Sequence, residues 1–166
     1  MTVEGNYFVM VTAGTETSDG FPISSRRTAV SRLETGLWEL FARTPNRDHV
    51  KTGDNLVVYA TRTSRRECGA FIGSAVVTEA VRDVKTIRRA TSTHYKPAPS
   101  SAVLLRLGQV RVFKTPVTME LVRNRLSFIP KHNKWGVVFL GGCVRITAGD
   151  FNALIESANT SGSETE

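Results

Sequence analysis

The 166-residue chain has only two cysteines, Cys68 and Cys143, and three histidines, His49, His94 and His132. Two isolated cysteines supply neither a disulfide framework nor a CxxC metal pair. They read as small buried thiols. The histidines form no HxH or HxxxH pair, whereas a catalytic zinc site normally needs three protein ligands. Metal catalysis is set aside on that ground, and no cofactor is expected. Paired carboxylates, a Ser-His-Asp set and a phosphate-cradling P-loop are missing as well. No apolar run approaches the ~18 residues of a membrane span. Residues Met1–Asn6 do not place an apolar stretch after a basic one, as a secretion signal would. The expectation is a cytoplasmic protein with no membrane partner.

What the chain does have is positive charge. Lys and Arg number 22 against 15 Asp and Glu, a formal net charge of +7. A strongly basic domain is a candidate polyanion binder. Hydrophobic residues make up 40%, and this length builds one domain with a core that needs neither disulfides nor metal. Residues 157–166 are small, polar and slightly acidic. They read as a disordered tail, leaving 1–156 as the domain.

Tyr7–Thr12 reads as a well-buried first strand. A Gly/Thr/Ser-rich loop over Ala13–Pro22 precedes a helix capped by Ser24 or Ser25 and running to about Glu34, with Ala29, Val30 and Leu33 inward. Gly36 ends it. Leu37–Phe41 leads into the turn Arg43-Thr44-Pro45-Asn46, and Asp48–Lys51 reads as one helical turn. Strands follow at Leu56–Thr61 and Ala70–Thr78, with a basic hairpin loop, Arg62–Cys68, between them. Gly73 marks a bulge or close backbone approach. Arg82–Ala90 fits helix or loop equally, and His94–Ser100 is a loop. Ala102–Phe113 is a long strand with a bend at Gly108. Pro116 opens a helix over Val117–Asn124 with Thr118 near its cap. Val137–Leu140 and Val144–Thr147 read as two short strands joined by Gly141-Gly142, and Thr147 or Gly149 opens a last helix, Asp150–Ser157. About six strands and four short helices without βαβ alternation imply an α+β domain on a curled sheet or small barrel.

Four features in this order resemble the EVE domain of the PUA-like superfamily, which also includes YTH and ASCH domains. They are the aromatic opening strand Asn6-Tyr7-Phe8-Val9; the basic turn, Gly-Asp and apolar strand of Val50–Tyr59; Phe71-Ile72-Gly73-Ser74-Ala75-Val76; and the stretch Pro116–Ile155. That last stretch contains Leu126-Ser127-Phe128-Ile129, Trp135-Gly136, Phe139, Ile146 and Asp150-Phe151. The resemblance covers roughly Asn6 to Ile155. It departs after Tyr59, where Ala60-Thr61 stands in place of the family's frequent Ser-Pro, and it does not reach Arg82–Pro99. It implies a PUA-like small β-barrel flanked by short helices, with a pocket for a nucleobase, often a modified one, in DNA or RNA. It also implies a reader with no chemistry of its own.

A pocket for one base needs aromatic walls, polar groups for the base edge and cations for the phosphates. Trp38, Trp135, Phe128 and Tyr59 are the candidate aromatics. Trp135, Val137 and Phe139 would share one strand face, which equally describes a core. Thr44, Asn46 and Ser127 are the candidate edge readers, though Asn and Thr are also ordinary turn residues. The cations cluster as Arg43, Arg47 and Lys51; Arg62, Arg65 and Arg66; and Lys131, His132 and Lys134. The leading expectation is a nucleic-acid-binding reader of a modified base. One alternative is a sensor of a free nucleotide, or an interaction subunit, using the same pocket. The other is an ASCH-like hydrolase, whose Lys, Thr and Glu set would here be Lys51, Thr61 and Glu67.

Overall fold

A computed structural model describes residues 5–62, 69–83, 101–131 and 134–163. The first strand, β1 (Tyr7–Thr12), and the fifth, β5 (Asn55–Ala60), are almost continuously apolar and buried. Strands covered on both faces require this. They pair in parallel, from Tyr7 opposite Asn55 to Thr12 opposite Ala60. A parallel pair cannot be joined by a tight hairpin. The crossover here holds the ribbon β2 (Thr15–Glu16) and β3 (Pro22–Ile23), the helix α1 (Ser25–Thr35) and the strand β4 (Leu37–Phe41). With β6 (Ala70–Val81), β7 (Ser101–Thr118) and β8 (Cys143–Ile146) the order of the main sheet is β4-β7-β6-β5-β1-β8. Its pairings other than β1–β5 are antiparallel.

The sheet curls into a half-barrel. The β5–β6 and β4–β7 pairs slip in register at one point each, and the register of the β6–β7 pair slips at three. Gln109 sits there at a φ of 45° directly after Gly108, where the bend was expected. Bulges of this kind sharpen twist and bend a strand. Gly73 lies at another slip, and a Cβ there would overlap the Arg111 carbonyl and the Leu33 side chain. The expected close approach is therefore real.

Period-two alternation divides the apolar residues between the two faces. Phe8, Met10, Leu56, Val58, Ile72 and Leu105 pack against Ala29 and Leu33 of α1. Val9, Val57, Tyr59, Phe71 and Val117 pack on the opposite face, against Leu154 and Ala158 of the last helix, α3 (Ala148–Ser163). Each fully buried large apolar side chain contributes about 1.5–3 kcal/mol. Ser24 caps α1, its hydroxyl accepting from the Arg27 N–H at 3.2 Å. Gly36 ends the helix with its N–H on the Arg32 carbonyl.

The turn after β4 closes the half-barrel. The Asn46 amide donates to the Cys143 carbonyl at 3.2 Å, linking the turn after edge strand β4 to edge strand β8. Asp54, fully buried, ties the base of the sheet together. Its carboxylate accepts from the Asn6 N–H at 2.9 Å and the Lys51 N–H at 2.8 Å. The Gly-Asp pair of the family resemblance is thus a structural clasp between the starts of β1 and β5.

Three expectations are corrected. Pro116 does not open a helix. β7 continues through Thr118, Val117 is buried opposite Phe71, and Pro116 falls in a register slip where no ladder N–H is needed. The helix α2 is only Met119–Val122, followed by a 3-10 turn at Arg123–Arg125. Second, Val137–Leu140 is not a strand. Trp135–Phe139 forms a 3-10 helix, with the Val137 N–H on the Lys134 carbonyl and the Leu140 N–H on the Val137 carbonyl, each at 3.2 Å. Short apolar runs are ambiguous in period. Phe139 is buried while Val137 is 58% exposed, so the two share no face. Third, residues 157–163 are not a disordered tail. The helix α3 runs through Ser163, and Ser157 and Ala158 are buried against the sheet.

Candidate nucleic-acid interface

A cavity of about 480 Å³ lies where β5 ends, β6 begins and β7 passes into α2. Tyr59, Arg62 and Gly69 come from the β5–β6 end. Met119, Glu120, Arg123 and Asn124 come from α2 and its following turn, and Trp135 closes the cavity from the 3-10 helix. The volume falls in the range of about 300–1,000 Å³ typical of small-ligand sites.

The aromatic wall is organised around Phe139. Tyr59 stacks on Phe139 with ring centroids 4.1 Å apart and planes at 15°. Trp135 and Phe128 each meet Phe139 edge-on at 6.3 Å. Edge-on and offset arrangements suit the ring quadrupoles and add about 0.5–1.5 kcal/mol per pair. Tyr59 is buried, and its hydroxyl lies against Gly69, where a Cβ would overlap it. Trp135 is only half-buried. The Arg123 guanidinium stands 5.9 Å from its ring centroid, and the same group donates to the Lys131 carbonyl at 3.3 Å.

Polar groups reach the cavity from one helical face. Glu120, Arg123 and Asn124 follow the i, i+3, i+4 spacing that aligns side chains on a helix. Among the described residues, two guanidinium groups and one carboxylate line the space. Glu120, Arg123, Asn124, Met119 and Gly69 were not singled out from sequence. The spacing of the three polar residues on an expected helix was the readable signal; Met119 and Gly69 carried none.

Of the sequence candidates, Tyr59, Trp135 and Arg62 are brought together here. Lys134 is exposed beside Trp135, and Lys131 is exposed on an adjoining hollow. Phe128 belongs to the aromatic cluster behind the wall rather than to the lining. Arg65 and Arg66, with Glu67, Cys68, His94 and His132, lie outside the described residues.

The remaining candidates are elsewhere. Trp38 is 2% exposed, packed in the α1-side core with Leu40, its ring covered by the Arg32 guanidinium at 5.0 Å. It is a core residue and not a pocket wall. Thr44 spends its hydroxyl on the Phe41 N–H at 3.0 Å. Asn46 holds a φ of 61° and bridges to Cys143. Both do turn chemistry, the alternative already recognised for them. Arg47 donates to the Ala42 carbonyl and pairs with Asp48 at 3.4 Å. Arg82 joins that cluster through the Arg47 and Val50 carbonyls. These groups seal one end of the half-barrel. Arg43 and Lys51 are exposed near that same closure.

Ser127 is also structural. Its N–H and hydroxyl both donate to Asp150, each at 2.7 Å. Asp150 in turn forms a capping box with Thr147 at the start of α3, its N–H donating to the Thr147 hydroxyl at 3.1 Å. Burial works against the Asp150 charge. The donors from Ser127 and Thr147 outweigh it and hold the carboxyl below its ordinary value. This clamp fixes the Leu126–Phe128 turn, and with it the aromatic cluster, against α3.

Lys51 and Thr61 flank opposite ends of β5, whose length is roughly 17–20 Å. They do not form one reacting set. Cys143 is buried and its thiol is pushed up to about 12, which leaves it inert. Among the described residues, no group of three or more His, Cys, Asp or Glu is placed to hold a metal ion. No described helix is long and apolar enough to cross a membrane.

No family model matches the chain, and no curated protein matches it. Solved structures do. A hypothetical protein from Leishmania major aligns over 98% of this chain and 99% of its own, at 12% identity and a TM-score of 0.61. The N-terminal domain of Staphylothermus marinus McrB aligns over 92% and 94%, at 14% identity and a TM-score of 0.57. Human THYN1 protein, solved in complex with 5-methylcytosine-containing DNA, aligns over 93% and 98%, at 14% identity and a TM-score of 0.56.

Proposed function

On the EVE-type, PUA-like fold that this chain has, we propose a nucleic-acid-binding module that holds one unstacked base, a modified one, against the half-exposed ring of Trp135. The observation that carries the reading is the meeting of a half-exposed Trp135 with Arg62 and Arg123 in one cavity. Stacking on an aromatic face is worth roughly 1–3 kcal/mol per base. The two guanidinium groups take the flanking phosphates, in geometry that suits Arg. Glu120 accepts from an exocyclic amino group, as acidic side chains do with cytosine, and Asn124 supplies a neutral donor and acceptor. Met119 offers an apolar, adaptable contact for an added methyl group. The complex of human THYN1 with methylated DNA supports this reading of the shared fold.

We propose binding without catalysis. The described lining residues include one carboxylate and no histidine or cysteine, so among them there is no acid–base pair and no activated nucleophile. The test is binding to short DNA and RNA strands, with and without single modified cytosines or adenines, at two salt concentrations, with Trp135→Ala alongside. Preference for one modified base, lost in that variant, is the expected result. Salt-sensitive binding that ignores both the modification and Trp135 would leave only a basic surface. Binding of a free nucleoside as tight as that of an oligonucleotide, with little salt dependence, would replace the module by a small-molecule sensor.

A further inference from the structure

A second cavity, of about 400 Å³, shares Arg123 and Asn124 with the first. Its other walls are Leu126, Ile129, Pro130 and Lys131. Leu126 and Ile129 are 5% and 6% exposed, so they form a fixed apolar floor. Pro130 is half-buried with a rigid ring, and Lys131 is exposed at the rim. Arg123 borders both spaces and is held from both sides, by the Trp135 ring and by the Lys131 carbonyl.

We infer that the second cavity takes the nucleotide adjacent to the held base on the same strand, with the phosphate between the two on Arg123. The inference rests on the base-binding reading of the first cavity and goes beyond it by naming the form of the ligand. Both cavities have apolar surface for a ring or sugar, and the wall between them ends in a guanidinium, a strong phosphate donor. Consecutive bases in a duplex strand rise by about 3.4 Å. That leaves no room for the Arg123–Asn124 wall between them. The ligand is therefore single-stranded at this point and at least two nucleotides long. The neighbouring nucleotide then sets sequence context, as flanking contacts do in other proteins that hold an extruded base.

The test uses the intact protein and single-stranded DNA of one to four nucleotides, carrying each unmodified base or 5-methylcytosine, with matched duplexes. A second seated nucleotide predicts a gain of about tenfold from mononucleotide to dinucleotide, little more beyond it, and weaker binding of the duplex. Pro130→Trp fills the second cavity without changing charge. It abolishes the gain and leaves mononucleotide binding as it was, while Pro130→Ala keeps the gain. Equal affinity for one and two nucleotides, still sensitive to Trp135→Ala, overturns this inference and spares the first cavity. So does a duplex bound as tightly as the single strand. Failure to bind at any length, or binding indifferent to Trp135→Ala, overturns the reading of the first cavity and this one with it.

Discussion

The chain has two tryptophans, and each lies under an arginine: Trp38 with Arg32 at 5.0 Å and Trp135 with Arg123 at 5.9 Å. The pairs are chemically the same and do different work. Trp38 stands on β4 two residues before Leu40, and both point into the α1-side core. Trp135 opens a 3-10 helix on the other side of the sheet and keeps one part of its ring open to a cavity. What separates them is backbone period. A strand position has one buried face and commits its side chain to it, whereas a short helical turn leaves a ring partly exposed. A tryptophan beside basic residues is therefore not by itself a base-binding wall.

Exchanging each ring for alanine gives the sharpest separation. Trp38→Ala removes a large buried ring and is expected to cost about 3–5 kcal/mol of stability, read by urea denaturation. Trp135→Ala is expected to lose far less stability and to weaken oligonucleotide binding by about 1–3 kcal/mol. A Trp38→Ala protein that keeps full stability but loses binding would reverse the assignment of the two rings.

Gly69→Ala attacks the same cavity from its floor. The added methyl meets the Tyr59 hydroxyl, and Tyr59 is itself stacked on Phe139. Overpacking of this kind costs typically about 1–3 kcal/mol. The displaced ring should also narrow the cavity and lower affinity. Unchanged stability and affinity would mean that Tyr59 has room to move and does not fix the wall.

The clamp behind Trp135 has its own signature in pH. The Asp150 carboxyl lies below its ordinary value of 3.8 in the folded chain. A carboxyl lowered on folding contributes stability above its unfolded value, and that contribution is lost as the pH falls through the folded one. Asp150→Asn should cost about 1 kcal/mol near neutral pH, as lost caps do. The difference from the parent should shrink as the pH drops below 3.8. Denaturation midpoints at pH 7 and in acid would show it, and a gap independent of pH would remove charge from the account.

Much of the fold could be read before any coordinates. β1 is Tyr7–Thr12 as expected, and β5 is displaced by one residue. Both are long apolar runs with clear turn signals at one end. The stretch around Trp135 was misread because a short apolar run carries no decisive period. What decides the turn there is the burial of Phe139 among Tyr59, Phe128 and Trp135, contacts distant in sequence in the case of Tyr59. The site was half legible. Tyr59, Trp135 and Arg62 were named. Ser127 was misassigned because its acceptor, Asp150, is 23 residues away in sequence. Glu120, Arg123 and Asn124 sat unread at helical spacing.

The arginines carry the comparison to its finest scale. Arg62 and Arg123 line the cavity, and Arg47 lies away from it, beside the Ala42 carbonyl and Asp48 at the closed end of the half-barrel. Each phosphate contact contributes roughly one unit to the slope of log affinity against log salt. Arg62→Ala and Arg123→Ala should each lower that slope by about one, with little change in fold. Arg47→Ala should leave the slope alone, and since its ion pair is at the surface its stability cost should be below about 1 kcal/mol. The measurement is affinity over a salt series for the three variants. A lowered slope for Arg47 alone would move the nucleic-acid track to the far end of the sheet, away from Trp135.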